Sequence, residues 1–129
     1  MGHEPEAVIR YQTMTIPVEI MLRHDGRVFT ETIDHPRDAG AWTAADLEQI
    51  LKEILARIDR LQNPGRPSRP LVSLRGMSWI VSPYLDGVAI AFEIHSASAV
   101  AGPFAVAQDA LERLMVEAFA ASRPPTTIH

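Results

Sequence analysis

Apolar residues alternate with polar ones along the first extended stretch, where Ile16, Val18, Ile20 and Leu22 interleave with Thr15, Glu19, Met21 and Arg23. A period of two predicts a strand with one buried face. Asp25-Gly26 suits the positive φ angles of a tight hairpin turn, and a two-residue turn there sets Leu22 opposite Phe29 and Val18 opposite Ile33. That register leaves Glu31 facing Ile20, and a three-residue turn competes with it. Pro17 has no amide hydrogen, so the strand either lies at a sheet edge or begins pairing only past that point.

The period then lengthens. Leu47, Ile50, Leu51, Ile54, Ile58 and Leu61 recur at helical spacing. Thr43 can cap this helix, Asp46 can answer as a short capping-box partner, and Trp42 with Leu47 fills the two positions of a hydrophobic staple. Glu48 with Lys52 and Glu53 with Arg57 stand four apart and mark the solvated side. The run from Asn63 to Pro70 stops the helix.

The same order recurs downstream. A turn at Asp86-Gly87 pairs Trp79 with Ile94 and Val81 with Phe92, gathering Met77, Trp79, Val81, Val88, Ile90, Phe92 and Ile94 on one buried face. Gly102 and Pro103 read as a helix start, followed by Ala107, Leu111, Leu114, Met115, Ala118 and Phe119 at helical spacing. The expected fold is therefore α+β: two ββα units forming a four-stranded, mostly antiparallel sheet with two helices packed on one face. One domain spans 1–129, with a first unit at 8–62, a Pro-rich linker at 63–70, a second unit at 71–121 and a flexible tail at 122–129.

Bulk composition narrows the function classes. The 129 residues carry 47% hydrophobic and 22% charged side chains, an ordinary globular balance. A net charge of −4 and a pI near 5.7 disfavour nucleic acid as a partner. Without cysteine there is no disulfide, thiol catalysis or zinc-thiolate chemistry. The acidic first ten residues and the lack of a long apolar run predict no signal peptide and no membrane partner, so the expected location is cytoplasmic.

Candidate chemistry is sparse. On the polar side of the second hairpin the expected register places Ser78 across from His95 with Glu93 two residues away, a hydroxyl, an imidazole and a carboxylate in one patch. These three are weak catalytic candidates, because flat strand positions lack the oxyanion donors that acyl transfer needs. A solvated face or a subunit contact is the favoured reading of them. His24 and His35 sit at opposite ends of the first hairpin, roughly 30 Å apart, and cannot share a metal ion. Arg66 and Arg69 could meet an anion or merely keep the linker soluble. The methionines Met14, Met21, Met77 and Met115 suit core gaps better than a soft ligand set. No phosphate loop, zinc-protease motif or nucleophile elbow is present, so no metal and no cofactor is expected.

The leading expectation is a non-enzymatic protein acting through self-association, as a homodimer, or through a protein partner. Its rival is a small-molecule-binding protein or enzyme with a pocket over the Ser78/Glu93/His95 face. An adaptor that receives a peptide along a strand edge is a third reading.

Overall fold

The structure, a computed structural model, describes residues 14–65, 74 and 76–122. The elements are β1 (Met14–Leu22), β2 (Val28–His35), a short 3-10 turn (Ala39–Ala41), α1 (Ala44–Gln62), β3 (Ser78–Tyr84), β4 (Gly87–Glu93), β5 (Ala97–Phe104) and α2 (Gln108–Ser122). The strands form one antiparallel sheet in the order β2-β1-β5-β4-β3. The lead-in, most of the Pro-rich linker with Arg66 and Arg69, and the tail from residue 123 lie outside the described residues.

The expectation of four strands is corrected to five, and the second unit is βββα, not ββα. The missed strand, β5, is the central one. It escapes notice because Ala97, Ala99 and Ala101 carry the inward alternation, and alanine neither favours strands nor registers as strongly apolar. All three are buried. Their small size has a packing reason: α1 contacts β1 and β2, α2 contacts β3, and the two helices touch each other, so β5 lies beneath their seam. Bulkier side chains there would hold the helix layer off the sheet.

Gly102-Pro103, expected to open the second helix, instead lies within β5 where the β4–β5 register slips between Val88 and Ile90. Gly102 has φ +131°, and a Cβ there would sit 3.0 Å from the Val88 carbonyl oxygen and 3.1 Å from Ala89 Cα. Only glycine fits that bulge comfortably. The helix begins six residues later than Gly102, at Gln108.

Both hairpins slide by two residues from their expected registers. In the first, Ile16 faces Ile33, Val18 faces Glu31 and Ile20 faces Phe29. The loop is the four residues from Arg23 to Gly26, closed by Leu22 N–H donating to Arg27 O at 2.9 Å and Gly26 N–H to Leu22 O at 2.9 Å. Asp25 stabilises it by accepting from Arg27 N–H at 3.0 Å and Arg27 Nε at 2.8 Å. In the second, Trp79 faces Phe92 and Ser78 faces Glu93, with Leu85-Asp86 as the turn. Leu85 takes the positive φ of 55°. Gly87 serves a different need, since a Cβ on it would come within 2.5 Å of Phe104 O on the neighbouring strand. An even slip preserves which face each side chain occupies, so the inward sets survive it. Pro17 sits one residue before the β1–β5 ladder begins at Val18, so β1 is interior and its missing donor costs no ladder bond.

The core lies between one sheet face and the two helices. It contains Ile16, Val18, Ile20 and Leu22 with Leu47, Leu51, Ile54 and Ile58 of α1 and Leu111 and Met115 of α2. Trp42 meets Phe104 edge-on at 5.1 Å, tying the start of α1 to the end of β5. Met115 is core, whereas Met21 stands 41% exposed on the opposite sheet face.

Gly102→Ala combines an unfavourable φ with a backbone clash and is expected to destabilise the fold by about 2–4 kcal/mol. Urea unfolding measures it; a loss below 1 kcal/mol would show that the bulge relaxes freely.

Candidate functional site

The open sheet face, opposite the helices, holds the sequence-derived candidates. Ser78 and Glu93 are direct cross-strand partners. His95 lies past the last residue of β4, in the turn to β5 that Ile94 N–H closes by donating to Ala97 O at 2.8 Å. The expected Ser78–His95 pairing is thus replaced by Ser78–Glu93, and His95 is carried to the rim. None of the described side-chain hydrogen bonds links Ser78 to Glu93 or His95, so among the described contacts the hydroxyl has no positioned base. Glu93 instead meets Arg23 at 3.8 Å across the exposed end of the sheet. Such a solvated pair contributes little stability.

A shallow hollow of about 390 Å3 lies over β3, β4 and β5, lined by Ser78, Ile80, Ala91, Glu93, Ser98 and Val100 among others. Its floor is low because Ala91 and Ser98 are small. Around it Ile80 is 58%, Val28 56%, Met21 41% and Tyr84 41% exposed. Arg23, Ser98 and Val100 were not singled out by sequence, since recognising them requires β5. The alternation of Ala97, Ala99 and Ala101 against Ser98 and Val100 is the signal that could have found them.

A second polar centre joins β2 to α1. Thr43 and Asp46 form the expected capping box: Asp46 N–H donates to Thr43 Oγ1 at 3.2 Å, while Asp46 Oδ2 accepts from Thr43 N–H at 2.9 Å and Thr43 Oγ1 at 3.1 Å. Its other oxygen, Oδ1, lies 3.3 Å from His35 Nε2 and 3.8 Å from the Arg37 guanidinium. His35 is 5% exposed and packs edge-on to Trp42, whose Nε1 donates to Arg37 O at 3.0 Å. The Thr43 backbone bond holds the Asp46 carboxyl below the usual range against the opposing effect of burial, with the Thr43 hydroxyl, Arg37 and His35 reinforcing it. A buried carboxylate with both oxygens occupied fastens the end of β2 to the start of α1.

His24 stays at the first hairpin loop, 3.3 Å from Asp25, far from His35. Among the described residues no three His, Asp or Glu side chains gather as a metal site. No described helix is long and apolar enough to cross a membrane. No known family model, curated protein or solved structure matches the chain.

Because the folded Asp46 carboxyl titrates below its unfolded counterpart, its contribution is complete above the ordinary carboxylate range and is lost as pH falls through the lower folded value. Asp46→Ala is expected to cost about 1–2 kcal/mol at neutral pH. The variant should also lose less further stability than the parent between about pH 5 and pH 2. Parallel acid titrations of the two unfolding midpoints check both statements.

Proposed function

We propose that this protein is a non-enzymatic module that acts by self-association, with a second copy of the chain seated on the open sheet face. The observation that carries the reading is a hollow and a projection side by side: the depression over Ala91, Ser98 and Val100 adjoins the exposed Ile80. Two copies related by a two-fold axis can each place Ile80 in the other's hollow, the self-complementary pattern of an isologous contact. Five strands at their usual spacing make a face roughly 24 Å by 23 Å, so two such faces bury about 1,100 Å2, enough for a specific interface. Glu19 and Glu93 leave this face acidic, with Arg23 as the compensating cation, so added salt should strengthen the contact.

The hollow also supports a second reading, small-molecule binding, in which Ser78, Ser98 and Glu93 supply the polar contacts and Ile80, Ala91 and Val100 the apolar wall. His95 lies outside that lining, so a ligand held there would tolerate His95→Ala and respond to Glu93→Gln.

Ala91→Arg fills the hollow with a charge, and Ile80→Glu removes the projection. Each is expected to lower the solution mass measured by light scattering and to leave the unfolding midpoint within a few degrees of the parent. An unchanged mass in both variants rejects the contact.

A further inference from the structure

We propose that the outer edge of β2, the terminal strand among the described residues, pairs with the same strand of a second copy, antiparallel about a two-fold axis at Glu31, joining two five-stranded sheets into one of ten strands. This contact is separate from the open-face contact above and does not depend on it.

The two edges of the sheet are treated differently. On β3, the alternation of ladder bonds turns the backbone groups of Trp79, Val81 and Pro83 outward. Pro83 has no donor, and the Val81 carbonyl already accepts from Gln108 Nε2 of α2 at 3.0 Å. That edge is blunted in two of the ways that stop sheets from growing. On β2, the Leu22–Arg27 bond sets the phase, so Val28, Thr30, Thr32 and Asp34 turn their backbone N–H and C=O groups away from β1. None of the described hydrogen bonds from other elements reaches those outward groups, and the strand is rich in β-branched residues.

A second β2 suits this edge for three reasons. Centring the axis on Glu31 pairs Val28 with Asp34 and Thr30 with Thr32 in both directions, so all four outward residues of each copy exchange backbone bonds. On the helix side the same register sets Phe29 against Ile33, an apolar pair on each flank of the axis. At the axis two Glu31 carboxylates meet, and each already holds its own Arg57 guanidinium at 2.8 Å, so the centre brings two anions with two cations. A groove of about 290 Å3 between β2 and α1, lined by Thr32, Asp34, Gln49, Glu53 and Arg57 among others, leaves room beside the strand for the incoming side chains. Growth then ends: both outer edges of the joined sheet are the blunted β3.

Amide hydrogen exchange followed by NMR at two protein concentrations tests the pairing. The amides of Val28, Thr30, Thr32 and Asp34 are expected to gain protection as concentration rises. Thr32→Pro removes one outward donor and spares the β1–β2 ladder, since Thr32 faces Pro17 at a position without ladder bonds. It should weaken association by roughly tenfold or more. If that variant misfolds, the exchange pattern of the unmodified chain decides alone. Ala91→Arg should leave the protection of these four amides intact, which separates this contact from the open-face one. Two results overturn the proposal: a monomer at every concentration, or an oligomer in which the four amides still exchange at the rate of open chain.

Discussion

The sheet can carry two helices on one face only because its central strand is nearly bare on that side. Ala97, Ala99 and Ala101 all point into the seam between α1 and α2, and all are buried. Interiors pack to crystal-like density, so the distance between layers is set by the side chains between them. Small residues at the centre and large ones on β1 and β4 give a shallow trough into which the helix pair settles. Gly87 and Gly102 belong to the same constraint, since each allows β4 and β5 to approach where a Cβ would meet backbone.

Elements with strong local signals were legible. The cap Thr43, its partner Asp46 and the stripe from Leu47 to Ile58 located α1 with its start correct, because capping and periodicity are local physics. The facing of β1 to β4 was legible too, since alternation fixes sides even where the register slips by two. What alternation does not fix is which residue faces which. Glu31 shows why: its partner is Arg57 on α1, a contact across 26 positions that hairpin chemistry cannot anticipate. Gly102-Pro103 misled for a related reason. The dipeptide is a good helix start in isolation, and only the neighbouring strand reveals it as a bulge.

The candidate site was legible by face and not by neighbour. Ser78 and Glu93 share the open side as their parity requires, but the missing strand moves His95 into a turn and brings Ser98 and Val100 beside them. A patch that looked like the start of a triad becomes a shallow hollow with an apolar wall. Polar chemistry with real burial went elsewhere, to His35 and Asp46, where an imidazole and a capping box share one carboxylate.

That distribution separates holding from meeting. The well-satisfied polar contacts, Asp46 with Thr43 and His35 and Arg57 with Glu31, all lie on the helix side of the sheet and join α1 to its first hairpin. The opposite side carries uncovered Ile80, Met21 and Val28, a loose Arg23–Glu93 pair and an exposed Thr15–Asp34 hydrogen bond. A domain that spends its directional bonds fixing one helix over one edge gains a rigid border there, and a rigid border loses less entropy when a further strand is laid against it. The Arg57–Glu31 pair thus stiffens the β2 edge, whose outward backbone groups no described hydrogen bond from another element reaches, and links the packing of α1 to that edge.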